Sequence, residues 1–415
     1  MSPMSTPACV GPIAADSGRE RALRPTAPRT GRSRTLDVML SVDDLFAGLT
    51  RFPDVEAPNL FAVDAADRLI LDEAADALSA APEASVVVVG DHYGALTLAA
   101  AVRFGANGIR VHQDPLTGER ALANNAERFG LAGRYRSCAL GEDLLTGARV
   151  VLLQLPRSLD ELDEVADAVA RYADPDVVVF AGGRNKHITP AMNDVLRRYF
   201  GGVRATLGRQ KSRVLIADTP RTSTEPPRFP VVEHVDELGS DVAAHGAVFA
   251  GPKLDIGTRF LLEFLPRMRE AGTAVDLGCG TGILAVSLAK AQPSAEVIAS
   301  DQSAAAVASA AATARANGVA ARVRVIRDDA LSSLPESSVD LILCNPPFHV
   351  GAAVHTGSAG KMFDAAGRVL RPGGELWTVY NSHLGYKRAL ERAVGRTEEV
   401  GRNPKFTVTR SVRAV

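Results

Sequence analysis

Apolar residues along the chain fall into short runs separated by polar, helix-forming stretches. Residues 85–89 are a β-rich run that closes on Gly90-Asp-His-Tyr-Gly94 and passes into an Ala/Leu segment. Residues 274–277 close in the same way on Gly278-Cys-Gly-Thr-Gly282 before a similar segment. Continuous Val/Ile/Leu runs alternating with helical periodicity predict an α/β protein whose mostly parallel sheet is covered by helices on both faces. In the second half the predicted strands are 273–277, 296–300, 322–327, 339–344, 375–380 and 405–410. The last two, joined through 381–404, are expected to pair antiparallel at the sheet edge.

The two halves carry the same landmarks in the same order. Gly90 and Gly278, Gly94 and Gly282, and the helix-ending Gly130 and Gly318 are each 188 residues apart. Further on, a β run ends in Leu153-Gln-Leu-Pro-Arg157 in one half and Cys344-Asn-Pro-Pro-Phe348 in the other. Landmarks repeated in order predict two copies of one domain. Residues 1–35, rich in Pro, Ser and Thr with six arginines, are expected to be a disordered tail, and Met39 is a candidate initiator. The first copy is then expected over 36–217, a Pro-rich linker over 218–230, where helix is excluded by the prolines, and the second copy over 231–415.

Composition agrees with two globular units: 415 residues, 46% hydrophobic, 23% charged and a mean hydropathy of +0.03. No apolar run is long enough for a spanning helix and no secretory signal opens the chain, so a cytoplasmic protein that does not engage membranes is expected. The four cysteines show no metal-ligand spacing, so no metal is expected. A net charge of −1 hides strong asymmetry, because 184–228 holds 10 Lys/Arg against 3 acids and 37–176 holds 24 acids against 11 arginines. Local basic patches on a neutral chain can hold phosphates.

Candidate chemistry collects at successive strand ends. The turn Asp276-Leu-Gly-Cys-Gly-Thr-Gly282 lets the backbone approach a ligand where a Cβ would clash. Asp301, ending the next strand, is placed to accept from a ribose diol, and Asp328-Asp329 after the third can meet an adenine amine. Asn345-Pro-Pro-Phe348 ends the fourth strand. Pro346 and Pro347 freeze the backbone so that the Asn345 side-chain oxygen and the following carbonyl face one donor pair, while Phe348 offers a stacking plane. These acceptors suit an amine conjugated to a ring, whose nitrogen becomes nucleophilic when both protons are hydrogen-bonded. His349 is expected to position rather than catalyse; Cys279, Cys344 and Trp377 are expected in the core.

This combination resembles the class I S-adenosylmethionine-dependent methyltransferases. Ala247–Pro266, Cys344-Asn-Pro-Pro-Phe-His349 and Gly374–Leu384 further resemble the ribosomal RNA guanine-N2 methyltransferases, and Arg51-Phe-Pro53 brings the chain closer to their large-subunit branch. The resemblance covers roughly residues 40–415. It implies two tandem Rossmann-like domains with seven-stranded sheets, and S-adenosylmethionine held by Asp276, Gly278, Gly280, Gly282 and Asp301, with Asp329 at the adenine. It implies a guanine held by Asn345, Pro346, Pro347 and Phe348, with 254–258 bordering the cofactor entrance.

The first copy departs where chemistry would need it. His92 stands in place of Gly280, and Gln154 and Arg157 replace Asn345 and Phe348, so this copy is expected to be degenerate and to serve as scaffold or RNA dock. Asp114 reads as a surviving counterpart of Asp301. Arg184, Lys186, Arg209, Lys211 and Arg213 are the expected contacts to ribosomal RNA phosphates. The expected activity is methylation of the N2 amine of a guanine in large-subunit rRNA by a monomer. The alternatives are another conjugated nitrogen (a small-subunit guanine, an adenine or a protein glutamine amide) or a non-catalytic RNA-binding assembly factor.

Overall fold

The computed structural model describes residues 40–347 and 352–414, with the side chains of 352–357 outside the description. The predicted tail, Met39, Phe348 and His349 therefore lie outside the described residues. The strands are β1 (Val86–Val89), β2 (Ile109–His112), β3 (Tyr135–Ser137), β4 (Val150–Gln154), β5 (Val178–Arg184), β6 (Phe200–Ala205), β7 (Ser212–Pro220), β8 (Val231–Val235), β9 (Ser240–Ala244), β10 (Thr273–Leu277), β11 (Glu296–Asp301), β12 (Val323–Arg327), β13 (Val339–Cys344), β14 (Leu370–Asn381), β15 (Thr397–Arg402) and β16 (Phe406–Val412).

They form two seven-stranded sheets of identical topology, β3-β2-β1-β4-β5-β7-β6 and β12-β11-β10-β13-β14-β16-β15. In each, six strands share one direction and only the sixth in the order, β7 or β16, runs antiparallel to them, pairing on both sides. Strand periodicity explains the layers: Val86 and Val88 enter one apolar cluster and Val87 and Val89 another, one on each face of the first sheet. Val275 and Ala274 divide likewise in the second. Burying such a side chain contributes about 1.5–3 kcal/mol, so an uninterrupted Val run is stable only between two helical layers. Trp377, Cys279 and Cys344 are in the core as expected.

The edge expectation needs correction. Residues 375–380 and 405–410 do pair antiparallel within β14 and β16, yet β15 takes the edge outside them. Thr-Glu-Glu-Val-Gly-Arg has little strand signature, and its pairing is irregular between Glu399 and Gly401. Only tertiary contact supports it, since a Cβ on Gly401 would lie 2.1 Å from the Phe264 ring. At the other boundary β7 runs through Pro220, so three residues read as linker are strand. The remaining stretch is fastened to the first copy: Arg228 pairs with buried Asp163, and Arg171 donates to the Glu225 and Pro226 carbonyls.

The helices that matter for the site are α1 (Ala65–Glu73), α2 (Ala95–Phe104), α3 (Leu116–Arg128), α4 (Ile256–Leu262), α5 (Ile283–Ala291), α6 (Ala304–Ala316) and α7 (Ala352–Val369). No helix among the described residues is long and apolar enough to cross a membrane.

Candidate active site

The second sheet brings the predicted residues together at the carboxyl ends of its parallel strands, where open α/β sheets hold ligands. Leu277 and Cys344 are register partners, so the glycine turn after β10 and Asn345 after β13 start side by side. Ser300 pairs with Leu277 as well, which sets Asp301 on the opposite flank of the turn.

Gly278, Gly280 and Gly282 all have left-handed backbones, with φ of 76°, 52° and 79°. At Gly282 a Cβ would lie 2.9 Å from Ala310, so close helix packing requires glycine; at Gly280 a Cβ would meet nothing within 4 Å. That open space is where a ligand can approach the backbone. The half-buried Asp301 accepts from Gly280 N and Ser303 N, each at 3.0 Å, leaving lone pairs for a diol. Burial raises its pKa, and the neighbouring Asp114 carboxylate adds to this against the backbone bonds. Asp276 is buried beneath the turn; its Oδ2 accepts from Ala285 N at 2.9 Å, and its Oδ1 has no partner among the described residues. Burial pushes its pKa up to about 7.

The two acids after β12 have different roles. Asp328 caps its own loop, accepting from Asp329 N, Ser332 Oγ, Ser333 N and Ser333 Oγ. Burial acts against its charge, but these hydrogen bonds outweigh it and lower the pKa. Asp329 is buried and ion-paired instead, with Lys361 Nζ 2.5 Å and Arg120 of the first copy 3.9 Å from its Oδ2.

Asn345 is held by two residues of the 254–258 segment, which the sequence placed at the cofactor entrance without this contact. Its Nδ2 donates to Thr258 Oγ1 at 3.0 Å and to Asp255 Oδ2 at 3.3 Å. Asp255 also N-caps α4 through Gly257 N and Thr258 N. A Cβ on Gly257 would stand 3.4 Å from both amide atoms of Asn345. The only available signal was Asp255-Ile-Gly-Thr258 as a cap motif, 90 residues from its partner. With the amide nitrogen committed, Asn345 Oδ1 is buried and without a hydrogen-bond partner among the described residues. Pro346 behind it is buried and Pro347 exposed.

The first copy repeats the frame with altered contents. Gln154 sits at the Asn345 position and donates to Asp67, which occupies the Thr258 position relative to its own cap Asp64. Val88 replaces Asp276, and Asp91 caps α2 through Leu96 N and Thr97 N. His92 adopts φ 58°, the left-handed conformation of Gly280. The strand register corrects one expectation: His112 pairs with Val89 as Ser300 pairs with Leu277, so Gln113, and not Asp114, is the counterpart of Asp301. Asp114 lies one residue beyond that position and faces the second copy.

The five basic residues cluster on the β5 end and the β6–β7 turn, since Asn185 N donates to Lys211 O and Arg184 is in register with Ser212. Arg184 pairs with Asp64 and Arg209 with Asp72, whereas Lys186, Lys211 and Arg213 form no ion pair among the described residues.

Comparison with known proteins extends this picture. Residues 39–222 match the RLMG N-terminal domain, and 239–410 match the Methyltransferase small domain. Ribosomal RNA large subunit methyltransferase G of Streptomyces coelicolor is 37% identical over 88% of this chain and 97% of its own. Its Pseudomonas aeruginosa namesake is 36% identical over 88% and 96%. The solved Thermus thermophilus 16S rRNA N2 G1207 methyltransferase, in complex with AdoMet and guanosine, shares the fold with a TM-score of 0.67 at 23% identity, over 90% of this chain and 100% of its own. Tandem domains, matching family models and this similarity along nearly the whole length mean that the chain belongs to the ribosomal RNA large subunit methyltransferase G family.

Proposed function

We propose that the chain transfers a methyl group from S-adenosylmethionine to the exocyclic N2 amine of a guanine in large-subunit ribosomal RNA, and that only the second copy performs the transfer. The observation that carries this reading is the buried, unpartnered Oδ1 of Asn345 beside an open glycine turn. A buried acceptor without a partner costs about 1–3 kcal/mol, a cost that is offset when a ligand donor arrives.

The cradle fits the cofactor: open space at Gly280, the Asp301 carboxylate for a diol, and Asp329 at the third strand end. When bound, S-adenosylmethionine supplies an electrophilic methyl group on a sulfonium. Asn345 Oδ1 accepts from the guanine amine, drawing its lone pair out of conjugation and toward the methyl. Thr258 and Asp255 fix the amide so that oxygen, not nitrogen, faces the substrate. Buried Pro346 keeps the backbone rigid and helps exclude water. The methylated amine, once cationic, sheds its proton readily, so no dedicated base is required.

The family's named activity and the basic cluster of the first copy support rRNA as the substrate. Mass-spectrometric nucleoside analysis of rRNA, separated by subunit, from cells with and without the protein tests it. Loss of one N2-methylguanosine from the large subunit is expected; retention of every such nucleoside would overturn the assignment.

A further inference from the structure

The two copies meet through reciprocal contacts at equivalent positions. Leu116 N donates to Gln302 O at 2.9 Å, Ala304 N donates to Asp114 O at 3.0 Å, and Pro115 bridges antiparallel to Ser303. In each pair the residues exchange roles under the 188-residue repeat, so the contact is isologous, as between identical subunits. The side chains break this symmetry. Asp114 Oδ1 accepts from Ser303 Oγ and from Ala305 N, both at 2.9 Å. Arg327 clamps the same junction, donating to Glu119 at 2.7 Å and to the Gln113 and Asp114 carbonyls.

Ser303 links this junction to the cofactor cradle. Its N–H donates to Asp301 Oδ1 at 3.0 Å while its hydroxyl donates to Asp114. The residue that looked like a relic of nucleoside binding in the first copy therefore grips the loop that carries the ribose-facing carboxylate of the second. We propose that Asp114 is a positioning residue for the cofactor, fixing the Ser303 turn and through it the orientation of Asp301. The first copy is thus a working part of the second copy's cofactor site. This inference rests on the reading of Asp301 given above.

A double-mutant cycle on the full chain tests it, with S-adenosylhomocysteine binding measured by calorimetry for Asp114→Ala, Asp114→Asn, Asp301→Ala and the Asp114→Ala/Asp301→Ala pair. Asp114→Ala is expected to weaken binding about tenfold, the scale of one lost hydrogen bond to a charged group. Asp114→Asn is expected to restore it, because both donors converge on the one oxygen that asparagine keeps. The double variant is expected to bind no worse than Asp301→Ala, since a residue acting only through another adds nothing once that other is gone. Additive losses would mean a merely structural role and overturn the proposal. So would unchanged affinity in Asp114→Ala while Asp301→Ala is weakened, an outcome that leaves the cofactor reading intact. Unchanged affinity in Asp301→Ala would instead overturn the assignment of Asp301 and this inference with it.

Discussion

Thr258 Oγ1 accepts from Asn345 Nδ2 at 3.0 Å, joining a helix start to a strand end 87 residues later. On the function proposed above, the bond decides which end of the amide is offered to the substrate. Asn345→Ala is expected to lower methyl transfer by about 10²–10³-fold, the usual cost of one oriented transition-state hydrogen bond. Cofactor affinity should stay within about threefold, measured by calorimetry beside a methylation assay. Equal loss of both would contradict the role assigned.

Thr258 should act through orientation. Thr258→Val is nearly isosteric and removes the acceptor, so it is expected to reduce turnover by about tenfold, while Thr258→Ser restores it. A serine variant as slow as the valine variant would show that the hydroxyl is not what matters.

Gly257 offers a test in which stability and activity part. Its backbone is helical, so Gly257→Ala gains up to about 1 kcal/mol of helix propensity. Its new Cβ would crowd Asp255 Oδ1 at 3.2 Å, the carboxylate that holds Asn345, and touch the Asn345 amide at 3.4 Å. The expected outcome is an unchanged or higher melting temperature with reduced turnover, and full activity would mean that Asn345 has more freedom than its contacts imply.

Asp276 makes stability depend on pH. Its folded pKa is raised from 3.8 to about 7 by burial, so the native state holds a proton that the unfolded chain has released between those values. The Asp276 contribution to stability therefore falls as pH rises from about 4 to about 7, by of order 4 kcal/mol, and levels off above. Asp276→Asn keeps an oxygen for Ala285 N and removes the titration. Urea midpoints of variant and wild type should diverge with rising pH across that window; parallel curves would refute the shift.

In the basic cluster proposed to face RNA, the residues without an ion pair among the described residues should count most. Replacing Lys186, Lys211 and Arg213 by alanine is expected to weaken RNA binding and lower its logarithmic salt slope by about 2–3. Arg184 and Arg209, engaged with Asp64 and Asp72, should contribute less. A slope unchanged in the triple variant would move the RNA face elsewhere.

The duplication, the parallel strands and the residues of the cradle were legible in the chain because each is a local signal. Valine runs between helical segments, glycines where φ must be positive, and prolines after Asn345 are dictated within a few residues of sequence. What local pattern does not encode is a partner far along the chain. Strand β15 exists because β16 and Phe264 accept it, and the Asn345 oxygen is left without a partner among the described residues because Thr258 and Asp255 fold back to take its nitrogen. Asp114 shows the same division: in sequence it resembles Asp301, but the register of β2 against β1 puts Gln113 in that place and turns Asp114 toward the other copy. A one-residue shift at a strand end reverses which way a side chain faces; the 188-residue offset already pairs Gln113 with Asp301, but that Asp114 then meets Ser303 and Ala305 of the other copy is decided only by how the two assembled sheets pack together.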